Sequence, residues 1–428
     1  MLSRGILRDM QRIGLLIERH WHYGRRLCEG IASRARELGG MSLEFIDWET
    51  PAAGRGLRGF AGFIARVWSA DIARRLKATG RPVVDVYGGV AETPFVVADQ
   101  NADLVGRLAA EHFLDRRFER FAFCGYSCQR YSVLRRKAYA RALREAGFEC
   151  DVFEDASFTA EKFGRKVIGR GDYDAGLAAR PLAAWLKSLE KPVAVFCAHD
   201  LVALQVAETC RKAGLGIPRE VAVLGVDDDP LLCDFREPTI SSIDPNPFEI
   251  GREAVDALAE WLANPGRRPA DRRPAPAGLV GRASTQTCPA PEPWLSDALC
   301  YIRENIGRNI NASEVIAALG RSHTTVEAAF REKLGTTVRR EIARVRIEEA
   351  KTLLRDAALP LAEVCKRAGF SSKAYFTAAF RAATGLAPGA WREAAGSSRS
   401  RQLREAAGSS RRCQLREASC RIGVEVRD

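Results

Sequence analysis

Histidine and methionine are scarce, and no long apolar run occurs. Five histidines and three methionines in 428 residues leave few imidazoles for metal clusters or general-base chemistry. No segment approaches the ~18 consecutive apolar residues that a membrane-spanning helix needs. The N-terminus, Met1 to Arg12, is basic and mixed and has no apolar stretch before a cleavage site. It therefore reads as lacking a secretory leader, and the expected location is cytoplasmic. The twelve cysteines include no CxxC pair, so they read as reduced thiols rather than a disulfide framework or a zinc site. A GxSxG elbow is also missing. A non-enzyme is expected, with no catalytic residues, no cofactor and no metal.

What is present is a charge asymmetry. The net charge is +12. Residues 1–262 balance 37 basic against 37 acidic side chains, whereas residues 294–392 carry 16 against 10. A neutral body with a basic C-terminal part points that part toward a polyanion.

The first 262 residues alternate short β-branched or aromatic runs with amphipathic stretches. Strands are predicted at Arg12–Glu18, Ser42–Asp47, Gly62–Val67, Pro82–Tyr87, Arg120–Gly125, Cys150–Phe153, Val193–Cys197 and Val221–Gly225. Helical spacing lies between them, and Phe248–Leu262 closes the region. This alternation implies parallel sheets covered by helices, and the length favours two sheets with a cleft between them. Residues 263–293 are rich in Pro and Arg and read as a semi-extended linker. Residues 294–392 read as wholly helical. From 393 to 428 EAAGSSR and QLREA each occur twice with a period of 12. That tail reads as disordered, either a duplication without function or a basic arm for nucleic acid.

Polar residues at predicted strand ends mark a candidate cleft: Tyr23 and Arg25 after the first strand, then Arg66, Asp99, Arg135, Asp200 and Asp227. Strand C-termini are where open α/β sheets bind ligands. Carboxylates and guanidiniums suit paired hydrogen bonds to vicinal hydroxyls, and Trp21, Tyr23 or Trp68 offers a face for a sugar ring. Other features have plainer readings. Gly54–Gly59 fits GxGxxG but runs into a strand, so it reads as a loop. His20-Trp21-His22 has no third ligand at useful spacing. The run Asp227–Asp229 reads either as a cation site or, in preference, as a strand-end turn.

The strongest pattern is a two-fold echo in the helical part. SEVIAALGRSHTTVEAAF (313–330) parallels AEVCKRAGFSSKAYFTAAF (362–380), with Gly320 and Gly369 in equivalent places. In each copy Gly ends a helix in the left-handed conformation, Ser caps the next, and Val, Ala and Phe pack the pair. That is the logic of helix-turn-helix. Val338–Leu354 has unbroken helical spacing and joins the copies, and Pro360 suits a following helix start. On these residues, and on RVRIEEAKTLL and GFSSKAYFTAAFRAATGLAPGAWR, residues 294–392 resemble the AraC/XylS family of DNA-binding domains. The resemblance implies two units entering successive major grooves of double-stranded DNA. It places His323, Thr324, Glu327 and Ala328 of the first recognition helix, and Lys373, Ala374, Thr377 and Ala378 of the second, toward the bases. Ala328 and Ala378 stand where the family often has Arg, the commonest guanine reader. Arg321, Arg331 and Arg381 read as phosphate contacts or as a solvated face.

The stretch VAVFCAHDLVALQVAETCRKAGLGIPREVAVLGVDDD resembles the ligand-binding domain of LacI/GalR-type repressors, a two-lobed periplasmic-binding-protein-like α/β fold. Taken together, residues 12–392 resemble the xylose operon regulators. The resemblance implies sugar ligation by Arg135 and Asp227, with Arg25 and Asp99 lining the cleft, while His199 replaces the usual Asn. The expected organisation is a sensor over 12–262, a linker over 263–293, a DNA-binding domain over 294–392 and the tail. The expected protein is a homodimeric regulator, an activator of pentose genes, with a small sugar such as xylose as effector and RNA polymerase as a further partner. The rival readings are a sugar-binding protein or enzyme with a helical accessory domain, and a regulator that has lost its operator.

Overall fold

The structure, a computed structural model, describes residues 10–46, 57–90, 92–155, 176–354 and 359–396. The repeats from 397 onward and Gly54 and Gly56 of the GxGxxG stretch lie outside the described residues. The chain divides into two units, Met1–Gln286 and Thr287–Asp428.

The first unit is built on two sheets. In the first lobe β1 (Gln11–Leu16) is flanked by β2 (Met41–Phe45) and β3 (Gly62–Ala65), and β4 (Val83–Asp85) and β5 (Val96–Val97) follow in the order β2-β1-β3-β4-β5. Every pairing is parallel. β1 and β3 are apolar on both faces because helices cover both, which is why Ile13, Leu15, Phe63 and Ile64 are all buried. α1 (His22–Leu38) and α8 (Pro247–Ala263) cover one face together, and Leu27, Ile31, Ile250, Ala254 and Leu258 join the β-strand apolar residues in one core.

The second lobe has the order β11-β10-β9-β8-β6-β7. Its strands are β6 (Phe121–Gly125), β7 (Asp151–Glu154), β8 (Val193–Cys197), β9 (Val221–Val226), β10 (Ser241–Asp244) and β11 (Gly278–Val280). Helices α3 (Ala102–Leu114), α4 (Arg130–Glu145), α5 (Ala179–Ser188) and α6 (Asp200–Ala213) cover it. The short α2 (Ala70–Lys77) belongs to the first lobe, and α7 (Pro230–Cys233) follows β9.

Two strands escaped the sequence reading. β10 reads SSID and is too polar to look buried, yet Ser241 and Ser242 are fully buried. Their hydroxyls are satisfied: Ser242 Oγ donates to Asp200 at 2.6 Å, and Ser241 Oγ meets Thr285 Oγ1 at 2.7 Å. β11 lies in the segment taken for a linker, and there the expectation is corrected. Residues 278–280 pair antiparallel with β10. Upstream, the Arg272 amide donates to the Val97 carbonyl at 2.8 Å and the Asp99 amide to the Arg272 carbonyl at 3.1 Å. The Pro/Arg-rich stretch is thus a third crossing between the lobes, beside those after β5 and β10. The unit boundary falls at Gln286, not across 263–293. Composition misled here because the segment is held by main-chain pairing, which does not need apolar side chains.

The second unit is helical throughout its regular elements: α9 (Pro293–Glu304), α10 (Ala312–Ala318), α11 (His323–Leu334), α12 (Val338–Leu354), α13 (Leu361–Arg367), α14 (Lys373–Thr384) and α15 (Pro388–Gly396). It has two cores. Leu299, Ile302, Val315, Val326, Phe330, Ile342 and Val345 form one. Ile347, Ala350, Leu354, Val364, Phe376 and Phe380 form the other, with Trp391 against it. α12 contributes its first half to one core and its second half to the other.

The tightest packing in the first lobe is glycine-dependent. A Cβ on Gly30 of α1 would overlap the Phe248 carbonyl oxygen, and one on Gly251 of α8 would overlap the Leu27 carbonyl. Gly30→Ala is therefore expected to force the two helices apart at a cost of about 1–3 kcal/mol. A urea titration checks this, and an unchanged midpoint would contradict the packing.

Candidate functional site

The cleft is lined from strand ends of both lobes, and its centre is Arg135. This side chain, on the first turns of α4, is only 2% exposed. Its Nε and Nη2 donate to Gln100 Oε1 at 2.9 and 2.7 Å, and Nη1 donates to the Ala198 carbonyl. Nη2 also lies 3.5 Å from Asp227 Oδ1, and the guanidinium is 5.1 Å from the Tyr131 ring centre. Gln100 belongs to the crossing after β5, so one buried cation links a crossing to the second lobe's sheet.

Asp227 follows β9 with φ of 113°, a strained left-handed backbone that aims its carboxylate at Arg135. Burial pushes its pKa upward, opposed by Arg135 and Arg66. Asp99 is buried, and its pKa is pushed up to about 6 by burial against the pull of Arg273, 3.6 Å away. Asp85, at the end of β4, is fully buried and pushed up to about 7 by burial. Its Oδ1 accepts from the Val67 and Tyr87 amides, while Oδ2 has no hydrogen-bond partner among the described residues.

Tyr23 and Arg66 complete the first lobe's wall. Arg66 pairs with Glu18 and stacks over Tyr87 at 4.5 Å and Tyr23 at 5.4 Å. The Tyr23 hydroxyl titrates well above its usual range through burial and then through Asp99 and Asp227, which places it among the cleft carboxylates. Tyr87 Oη donates to Gln129 Oε1 at 2.6 Å, and Arg130 Nη1 to the Gly88 carbonyl at 3.3 Å. Both bonds run between the lobes. Trp21 and Trp68, from first-lobe loops, pack against the second lobe's core.

Two expected cleft residues have other roles here. Asp200 is 1% exposed, and both its oxygens are engaged: Oδ2 accepts from the Asp229 amide at 2.9 Å and Oδ1 from Ser242 Oγ at 2.6 Å. It pins the turn that carries Asp227 rather than facing the cleft. Arg25 is exposed, and its Nη1 donates to the His20 carbonyl at 2.6 Å, so it braces the loop before α1. Asp228, in the acidic run, pairs with Arg282 at 2.7 Å, and Asp229 caps α7; the run is a turn, as preferred from sequence.

One residue noted only as a departure acquires a role. His199 caps α6, its Nδ1 accepting from the Leu201 amide at 3.1 Å. Burial, then the charge of Arg135, lowers its pKa to about 3. The ring is neutral, its proton is on Nε2, and that donor has no hydrogen-bond partner among the described residues. The ring lies beside Tyr126 and Tyr131. The signal in the sequence was its position immediately before Asp200 at a strand end.

In the second unit Gly320 and Gly369 have φ of 59° and 74°. Ser322 and Ser372 accept from the amides of Thr325 and Tyr375, both at 3.2 Å. His323, Thr324, Lys373, Ala374, Thr377 and Ala378 are exposed at the starts of α11 and α14, and so are Arg321, Arg331 and Arg381. Glu327 departs from expectation. Its side chain is only 12% exposed and lies 3.7 Å from Arg331, so it is turned along the helix, and Ala328 is half-buried. Their counterparts in α14 are open. Arg321 stacks on Trp294 at 4.6 Å.

With this geometry in place, comparison with known proteins is informative. Residues 110–285 match the periplasmic binding protein-like domain family, and residues 315–394 match a helix-turn-helix domain family. The xylose operon regulatory protein of Escherichia coli K12 is 25% identical over 393 residues, covering 89% of this chain and 97% of that one. Among solved structures, a xylose-binding transcription activator, xylR, superposes with a TM-score of 0.55 at 23% identity, covering 90% of this chain and 98% of that one. A LacI family regulator from Enterococcus faecium with bound ribose gives 0.51 at 20% identity, covering 64% of this chain and 98% of that one.

The carboxylates set a pH dependence. Asp85 and Asp99 bind protons more tightly folded than unfolded, since their folded values of about 7 and about 6 exceed the ordinary one. Their contribution to stability is complete at low pH and is lost as pH rises through that range. Glu37 and Glu208, held at about 2 by arginines, change nothing until lower pH. His199, lowered to about 3, opposes the carboxylates as pH falls through the ordinary histidine range, but it is one group against the three raised aspartates Asp85, Asp99 and Asp227. The melting temperature of the ligand-free protein should therefore rise between about pH 7.5 and about pH 5.5, and Asp85→Asn should flatten the rise. A fall over that window would contradict this account of the cleft.

Proposed function

We propose that this chain, in which a periplasmic-binding-protein-like domain precedes an AraC-type helix-turn-helix domain, is a sugar-responsive, DNA-binding transcription regulator. The alignment with the xylose operon regulatory protein of Escherichia coli K12 runs through both domains of this chain and supports that reading. The observation that carries the sensor reading is the convergence of Arg135, Asp227, Asp99 and Tyr23 on one cleft. Paired cation and carboxylates meet vicinal hydroxyls as donor and acceptor together, and aromatic walls meet the ring face. His199 Nε2–H supplies a further donor to a ligand oxygen. Such a ligand is a small sugar, and we assign a pentose.

The mechanism follows from where these groups reside. A sugar bridging Asp99 in a crossing, Tyr23 in one lobe and Asp227 in the other contacts both lobes fully only when they are closed. Its differential affinity favours that state. The helical unit delivers the output. α11 and α14 present His323, Thr324 and Lys373 to base edges, while the methyl groups of Ala374, Thr377 and Ala378 suit thymine methyls. The basic surface supplies phosphate contacts.

The working unit in this reading is a cytoplasmic homodimer acting as an activator with RNA polymerase. Support for the dimer comes from the second lobe. Phe235 and Leu231 are 80% and 54% exposed beside a groove lined by Leu204, Ala207, Leu215, Ile217 and Pro238. A projecting ring next to an apolar groove, flanked by Glu208, Arg211, Arg236 and Glu237, is the kind of surface that a second copy covers in a two-fold dimer.

Calorimetric titration with a pentose panel should detect one binder, and Asp227→Asn should weaken it by about tenfold or more. No heat from any sugar with folded protein would overturn the sensor role. In retardation assays DNA affinity should fall steeply with salt, and Lys373→Ala should weaken binding. Phe235→Glu should shift the dimer toward monomer in sedimentation.

A further inference from the structure

The two helix-turn-helix copies differ at the residue just ahead of each reading helix. Ser322 caps α11 and Ser372 caps α14. The residue before the first cap is Arg321, and the residue before the second is Ser371. One copy therefore carries a guanidinium at this place and the other a hydroxyl.

The guanidinium is held. It lies over the Trp294 ring, 4.6 Å from its centre. Trp294 is itself anchored: its indole packs against the first helical core, and its Nε1–H donates to Glu292. A guanidinium stacked on a ring uses its face and leaves the N–H donors in its plane available. Arg321 is exposed, and among the described residues no side-chain hydrogen bond or ion pair occupies those donors. Other arginines of this unit differ. Arg346 also lies over a ring, Phe370, but donates to Asn309 and the Ile310 carbonyl. Arg331 lies against Glu327.

A plane fixed in advance removes much of the freedom that an arginine otherwise loses on binding. It also selects a partner. A phosphate is tetrahedral and can be approached from many directions. The O6 and N7 acceptors of guanine lie side by side in the base plane and match one orientation of a flat donor pair. A recognition helix that enters the major groove N-terminus first brings the residue ahead of its cap to the base edges. His323 and Thr324 share that end of α11, and neither offers two parallel donors.

We infer, resting on the DNA-binding reading above, that Arg321 is the specificity-determining residue of the first helix-turn-helix unit and reads a guanine, with Trp294 as the positioning residue that holds its plane. Ser371 stands in the equivalent place before α14. The guanine is therefore required in the half-site of α11 and not in that of α14.

The test presents the full-length protein with random duplex DNA at low salt, with and without D-xylose, and sequences what is retained. The parent should enrich a composite site with one strongly required guanine, in the half that Lys373→Ala leaves unaltered. Arg321→Ala should lose that requirement, discrimination at the position falling by about tenfold or more. Arg321→Lys keeps the charge but not the flat pair of donors. It should lose the requirement too, while the salt dependence of binding stays near the parent's. Trp294→Leu should relax the same position in part. The opposite result is that Arg321→Ala enriches the parent's site unchanged, weakens binding to all sequences alike and lowers the salt slope by about one. Arg321 would then be a phosphate contact, and the inference would be wrong while the DNA-binding reading stood. If the parent retains no duplex under either condition, that reading falls and takes the inference with it.

Discussion

A guanidinium removed from water must be matched by acceptors on every side, and that requirement organises the sensor unit. Arg135 meets it with Gln100 from a crossing, the Ala198 carbonyl from the end of β8, and Asp227 from the end of β9. Each partner comes from a different segment, so the cation holds three chain segments in register. Asp227 can reach it only through a left-handed backbone, which persists because Asp200 and Ser242 grip the turn from behind. The cleft is thus a polar site whose groups hold one another in place. Among the described residues His199 Nε2, beside that centre, and Asp85 Oδ2, at the end of β4, are buried without a hydrogen-bond partner.

The helical unit has a different organising element. α12 is shared between two cores, so the two recognition helices are set by one rigid rod. A buried carboxylate steadies it, for Glu341 is 1% exposed and accepts two hydrogen bonds from Arg344 at 3.1 and 2.7 Å. Arg346, from the same helix, donates to Asn309 and the Ile310 carbonyl and lies over Phe370. One side chain thereby touches the loop before the first helix-turn-helix copy and the turn of the second.

Much of this was legible in the residues. Parallel strands covered on both faces announce themselves as apolar runs, and the paired Gly–Ser signals mark turn and cap directly. β10 was hidden because its buried serines look like surface until their partners are known. β11 was hidden because an edge strand amid prolines is held by main-chain bonds alone. For the candidate cleft, type and position after predicted strands pointed to Arg135, Asp227, Asp99, Tyr23 and Arg66, which the fold brings to one place. They did not separate Asp200, which braces, from Asp227, which faces the cleft. The difference between two aspartates at neighbouring strand ends lies in which backbone amides and hydroxyls surround each, and those come from residues remote in sequence. Glu327 is turned away from solvent for a similar reason: it lies along its own helix against Arg331.

The distribution of charge ties the two units into one device. Residues 1–286 carry 42 basic against 38 acidic side chains, whereas the smaller second unit carries 24 against 16, so attraction to DNA resides mainly in the unit that holds the recognition helices. A ligand in the cleft cannot change that attraction by neutralising it. In the proposed reading its effect is geometric, through the closed state it favours and through how two copies of the helical unit are held for successive grooves. Polyanion affinity that is constant and presentation that is conditional separate binding from regulation. The few base-edge donors in α11 and α14 make this separation necessary. In the same proposed reading, alanines at 328 and 378 leave each unit little direct readout at those positions, and selectivity rests on holding two weak readers at the right spacing.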